Sequence, residues 1–181
     1  MENKPKAPSV MAEVGSLLLK LLAIGVFFLL ILTFLFGLHI AHGAAMDTAV
    51  KDGDFVVYYR LDKEPDARDL LVYETPEGNL SVGRVVAVPG ETVDVTSEGL
   101  KVNGFTQNET YVTGETLVYS EGGTSPTGNG NQVTYPLTLQ TGEYFVLGDN
   151  RENSLDSRLY GPVTEDNNKG RVVSVYRRGN F

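Results

Sequence analysis

Residues 143–163, EYFVLGDNRENSLDSRLYGPV, gather most of the chemistry-bearing side chains of this chain into one window, where an apolar strand runs into Gly, Asp, Asn, Arg and Ser. Asp156 and Arg158 stand two apart, so an extended backbone puts them on one face as an ion pair. Gly148-Asp149-Asn150 reads as a turn. Read alone, such a cluster does ordinary loop chemistry. The absent residue types exclude more. With no cysteine there are no disulfides, thiolate nucleophiles or sulfur-held zinc or iron-sulfur centres. The two histidines, His39 and His42, both fall at the outer end of a long apolar run, so no imidazole is expected in the body of the domain and a Ser-His-Asp triad is excluded there. No metal site and no cofactor are expected.

Short apolar or alternating stretches separated by turn residues must position that cluster, which is the pattern of strands. The expected strands are 55–60, 70–74, 80–88, 92–95, 100–102, 116–119, 133–139, 144–147 and 171–178. Pro-Glu-Gly at 76–78, Pro-Gly at 89–90, Glu-Gly at 98–99 and Asn-Gly at 103–104 supply turn positions with positive φ. The expectation is a mainly β domain, a coiled antiparallel sheet or barrel over 42–181. Within it, residues 120–132 carry no apolar side chain and read as a mobile loop.

Before the domain, residues 21–40 contain no Asp, Glu, Lys or Arg. About twenty such residues at ~1.5 Å each span roughly 30 Å of hydrocarbon. The chain therefore divides into a tail at 1–16, a single transmembrane anchor at 17–41 and the domain. Lys4, Lys6 and Lys20 precede the run, which puts the N-terminus in the cytoplasm and the domain outside the cell membrane. A cleaved signal peptide is the competing reading, with small residues at 41–45 to cut at, but the apolar run exceeds the ~7–15 residues of a cleavable one. Of 15 cations and 23 carboxylates, three and two precede Gly43, leaving 12 against 21, a charge of −9 on residues 43–181. Such a surface repels nucleic acid.

The order GDNR-x-NS-x-DSR-x-x-G in residues 148–161 resembles the signature segment of type I signal peptidases. GRVVAVPGETV, residues 83–93, is similar to that family's KRVIGLPGDTV segment, and AMDTAVKDGD, residues 45–54, to its SM-x-PTL-x-x-GD segment. The resemblance implies the family's coiled β fold, and a serine nucleophile activated by a lysine base. A buried amine gives up its charge readily and can then take the hydroxyl proton. In this chain the alignment pinned by Met46 and Gly53-Asp54 puts Ala45 at the nucleophile. The alignment on Arg84, Pro89 and Gly90 puts Gly83 at the base. An insertion or deletion within 43–51 would instead make Asp47 the counterpart of the nucleophile. Thr48 and Ser81 offer hydroxyls nearby, but no lysine stands beside either.

By the same resemblance Ser154 hydrogen-bonds the missing lysine, while Asp156 and Arg158 brace the site; Gly148, Asp149, Asn150, Arg151 and Ser157 complete the retained segment. The braced loop either holds the fold or preserves a cleft for extended peptides. Catalytically silent members of the family stand beside pilus gene clusters of Gram-positive cocci, where they assist sortase-dependent polymerisation. The resemblance thus implies a membrane-tethered pseudoenzyme partnered by pilin subunits and a sortase. The alternatives are a signal peptidase cleaving preproteins through a rearranged site, and a regulator competing with an active paralogue.

Overall fold

Residues 10–35 carry no proline and no charged side chain after Lys20, and they form one helix, α1 (Val10–Leu35). Its apolar portion, Glu13–Leu35, has 23 residues, and at ~1.5 Å rise it is long enough to cross a ~30 Å hydrocarbon layer. The computed structural model describes residues 10–96, 99–116 and 133–179.

The anchor expected over 17–41 is shorter at its outer end than the apolar run suggests. Helix gives way to strand β1 (Phe36–Ile40), which lies at the edge of a sheet beside β2 (Phe55–Tyr59). Gly37 makes this possible, because a Cβ there would stand 2.0 Å from Cζ of Tyr58, whose ring covers the bare backbone. A short apolar strand that continues an apolar helix cannot be told from it by periodicity alone, hence the misplaced boundary.

The rest is mainly β. Strands β3 (Leu70–Glu74), β4 (Leu80–Ala87), β5 (Thr92–Thr96), β6 (Gly99–Val102), β7 (Phe105–Thr106), β8 (Leu137–Thr138), β9 (Glu143–Leu147), β10 (Val163–Thr164) and β11 (Asn168–Tyr176) complete the set. They build a seven-stranded curled sheet in the order β1-β2-β11-β3-β4-β9-β10 and a four-stranded sheet in the order β7-β6-β5-β8. Pairings such as β3 with β4 and β4 with β9 are antiparallel. Gly78, Gly90, Gly99 and Gly104 all adopt positive φ at the expected turns.

Several expected strand limits shift. Residues 133–139 yield only β8, because Pro136 has no N–H to donate. The last strand begins at Asn168 and ends at Tyr176, three residues earlier and two residues shorter at its end than expected. The expected strand at 116–119 and loop at 120–132 lie outside the described residues, apart from Thr116, which is not in a strand. Between β9 and β10 the chain makes a short 3-10 turn (Arg151–Asn153) and one helical turn, α2 (Ser157–Tyr160).

Alternation along the strands fills separate cores. Leu71, Tyr73, Val85, Tyr144, Val146 and Val163 form the one behind β3, β4 and β9, and Ala41, Met46, Val50, Val56, Tyr58, Val72 and Val82 the one behind the segment after β1. The first of these cores backs the retained signature loop.

Candidate functional site

The carboxylate of Asp156 organises the loop after β9. Its Oδ2 accepts from the Gly148 N–H at 3.0 Å and from the Ser154 hydroxyl at 2.7 Å, while Oδ1 accepts from the backbone N–H and the Nε of Arg158 at 3.1 and 2.9 Å. Arg158 also donates to the Ser154 hydroxyl at 2.8 Å and to the Arg151 carbonyl at 2.8 Å. All three side chains are buried. Buried ions persist only when paired and hydrogen-bonded, and this triad satisfies both conditions. The two-residue spacing of Asp156 and Arg158 does produce the ion pair expected of it, although α2 begins between them: Asp156 caps α2 by accepting from the Arg158 N–H. Ser157 turns inward to accept from the Val146 N–H at 3.0 Å.

A second buried pair ties the same loop to β4. Arg84 grips Asp149 through Nε and Nη2 at 2.8 and 2.6 Å, and its guanidinium lies 4.3 Å from the centre of the Tyr111 ring. Such a two-pronged contact fixes direction as well as distance. The Asp149 N–H points at the Met46 sulfur at 3.3 Å, and the Asn150 N–H donates to the Ala45 carbonyl at 2.9 Å. Arg151, fully buried, donates to the Gly148 carbonyl at 2.9 Å and pairs with Glu109 at 2.5 Å. Asn150, Met46 and Ala45 are thereby locked against one another. Pro89 and Gly90 are not part of this cluster. They form the turn into β5, where the Gly90 N–H donates to the Leu139 carbonyl.

Ala45 and Gly83 meet the cluster at the same end of β9. The Ala45 carbonyl would be 2.7 Å from a Cβ at Gly148, and Arg84, next to Gly83, pairs with Leu147. A side chain at 83 has no room, because its Cβ would stand 2.5 Å from Val146 Cγ1, 3.2 Å from Tyr73 Cε1 and 3.4 Å from the Leu147 carbonyl. Tyr73 takes that place. Burial above all, then the negative charge of Asp156, push its phenol far above the ordinary value, against a hydrogen bond with Ser81. A phenol so shifted keeps its proton and cannot serve as a base.

Two adjoining cavities open at Ala45. One is a small niche of ≈40 Å³ where Ala41, Met46, Val50 and Val82 meet His39. The other is a cleft of ≈460 Å³ with Thr75, Glu77, Asn79, Leu80, Asn153, Leu155 and Tyr160 in its walls. Ala45, Ser81 and His42 line both. His42 corrects the expectation that imidazole is absent from the domain body: since β1 joins the sheet, the residues just after it form the cleft wall. Asp47 is exposed and lines neither cavity. Thr48 donates to Asp149 and to the Tyr111 carbonyl, both at 3.3 Å. Among the described residues lining either cavity there is no lysine. Lys63 donates instead to the Asn168 carbonyl, and Lys169 pairs with Glu74 at 2.5 Å.

Sequence reasoning named Ser81 as a nearby hydroxyl but missed Tyr73, Glu77, Tyr160 and His42 as parts of the site. The hairpin register held the signal for Tyr73: five residues, 75–79, connect to the Glu74–Leu80 pair, which sets Tyr73 opposite Ser81.

Comparison with known proteins matches residues 14–177 to the family model described as signal peptidase, peptidase S26. A signal peptidase I of Bacillus licheniformis is 33% identical over 134 residues, covering 72% of this chain and 70% of the relative. Signal peptidase IB of Staphylococcus aureus is 31% identical over 145 residues, 72% of each chain, and signal peptidase I V of Bacillus subtilis is 31% identical over 137 residues, 73% and 80%. A crystal structure of a signal peptidase I from Enterococcus faecalis is 29% identical and aligns with a TM-score of 0.46 over 62% of this chain and 99% of that one.

Proposed function

Since the chain belongs to the signal peptidase family, peptidase S26, we propose that it is a member that holds exported polypeptides in its cleft without cutting them. The reading rests on one observation. Where the family resemblance puts the reacting groups, Ala45 offers a methyl group and Gly83 a bare α-carbon backed by Val146 and Tyr73. Loss of a nucleophile or base costs on the order of 10⁶ in kcat, about 8 kcal/mol of transition-state stabilisation. The brace around Asp156 is nonetheless complete, which preserves the cleft that an extended peptide would use.

In this reading α1 anchors the protein in the cell membrane with its N-terminus in the cytoplasm. Ala45 follows Leu35, the end of the helix, by ten positions in the sequence. The finer role is that of an assembly factor for pilus subunits: it presents pilin to a sortase and keeps it from mispairing. Main-chain pairing along the cleft and its strand edges would supply affinity without chemistry.

One observation favours a second reading, a signal peptidase working through a rearranged site: Ser81 and His42 both line the cleft beside Ala45. Deletion of the gene separates the two. An assembly factor leaves signal-peptide processing intact and abolishes high-mass pilin polymers on immunoblots, and wild-type chain restores them. Accumulation of unprocessed pilin precursor would overturn the proposal in favour of the peptidase. Faster processing would overturn it in favour of a competitor of an active paralogue.

A further inference from the structure

The walls of the larger cleft mix polar and apolar groups, and their one residue with a full charge at neutral pH is Glu77. It stands exposed in the tight turn between β3 and β4, a turn closed by the Thr75 N–H to the Asn79 carbonyl and the Gly78 N–H to the Thr75 carbonyl, each at 2.8 Å. The carboxylate is therefore carried by a rigid hairpin and does not hang from a loose segment. The hydroxyl of Thr75 beside it, and then that of Tyr160, hold its carboxyl below the ordinary range. Thr75 Oγ1 is buried and stands outside regular hydrogen-bond geometry, so it acts on Glu77 as a neighbouring dipole. Tyr160, pushed up to about 12 by burial and by its bond to Glu77, remains a neutral donor. Neither hydroxyl cancels the charge, and among the described residues no cation pairs with Glu77.

Of the acidic groups behind this wall, Asp156 is neutralised by Arg158, and Asp52 accepts from the Gly43 N–H at 2.9 Å without lining the cleft. Glu77 is not neutralised. The small niche at Ala45 thus adjoins a wider basin in which, among the described lining residues, the fixed charge is a single uncompensated carboxylate. A concave site of one sign attracts the opposite charge and gains over the same charge on open surface.

We infer that the cleft selects extended polypeptide segments that place a basic side chain, lysine or arginine, against Glu77. This rests on the reading of the cleft as a peptide-holding site and adds a selectivity to it. The aliphatic stem of such a side chain would lie along Leu80 and Leu155, with its charged head at the carboxylate.

The test uses the full-length chain in nanodiscs of neutral lipid and fluorescent twelve-residue peptide pools of Ala, Ser, Thr and Val with one central position fixed as Lys, norleucine or Glu. Anisotropy titrations should show the Lys pool binding about two- to fivefold tighter than the norleucine pool, the advantage shrinking as salt is raised. Glu77→Gln should remove that advantage so that the Lys and norleucine pools bind alike, and Glu77→Lys should transfer the preference to the Glu pool. Equal affinity for the Lys and norleucine pools would overturn the inference while the peptide-holding reading stands. Failure of every pool to bind would overturn both.

Discussion

A Cβ at position 83 would meet Val146 Cγ1 at 2.5 Å, and a β-branched valine in a strand has little rotameric freedom with which to yield. Reinstating a lysine there is therefore not a matter of adding an amine to a vacant socket. Gly83→Lys should destabilise the fold by about 1–3 kcal/mol through overpacking, read as a lower urea midpoint, and Val146→Ala in the same chain should recover part of it. The pair Ala45→Ser with Gly83→Lys should show no Ser-Lys peptidase activity, because Tyr73 and Val146 hold the ground the amine needs. Stable folding and cleavage by that pair would show that the site is less filled than its geometry says. The Asp156 brace is sensitive in the opposite sense. Asp156→Asn leaves Arg158 buried without a counter-charge, and a loss of about 3–5 kcal/mol is expected. Thermal unfolding measures it. Neither the plug nor the brace was fully legible from residue types: the spacing of Asp156 and Arg158 announced their ion pair, whereas Tyr73 is unremarkable until the hairpin register sets it beside Gly83.

Among the elements, β1 departs furthest from expectation, and Gly37 is the reason. With its Cβ position 2.0 Å from Tyr58 Cζ, any side chain there would push β1 away from β2. Gly37→Val should cost about 1–3 kcal/mol and open the segment between β1 and β2 to limited proteolysis. That segment is held at its far end by Asp54, which accepts from the Lys51 N–H at 2.9 Å and the Arg178 N–H at 3.1 Å, and so ties the loop to the end of β11. The backbone N–H of Lys51 above all, then that of Arg178 and the charges of Arg177 and Lys51, keep its carboxyl below the ordinary value of 3.8, burial opposing. A depressed carboxylate contributes stability that is complete above its unfolded value and vanishes as pH falls through its folded one. Asp54→Asn should accordingly be less stable than the parent at pH 7, with the difference narrowing below about pH 4; paired urea titrations at pH 7 and pH 3 would show it. Most strands were readable because turn residues bracket them, and in β5 and β6 because one face alone is buried. The exceptions have physical causes: β1 hides in an apolar run continuous with the helix, and β10 is two residues long and stands only because β9 lies beside it.

At the scale of the whole molecule, one apolar helix and one acidic β domain make a protein suited to act on polypeptides at a membrane surface. The lack of cysteine excluded thiol chemistry, and the residue order within 45–54, 83–93 and 148–161 carried the family. What the order could not convey was the company kept by the cleft. His42 enters its wall only because β1 joins the sheet, and Glu77 faces Tyr160 only because the β3–β4 hairpin folds over α2. The central claim is that this cleft binds exported chains and leaves them whole. It is tested most directly by incubating the full-length protein in liposomes with a pilin precursor from its own cell surface and measuring the precursor's intact mass. The account predicts an unchanged mass for a precursor that co-purifies with the liposomes. A new species cut at the signal site, formed by the wild-type chain and absent with Ser81→Ala, would contradict it.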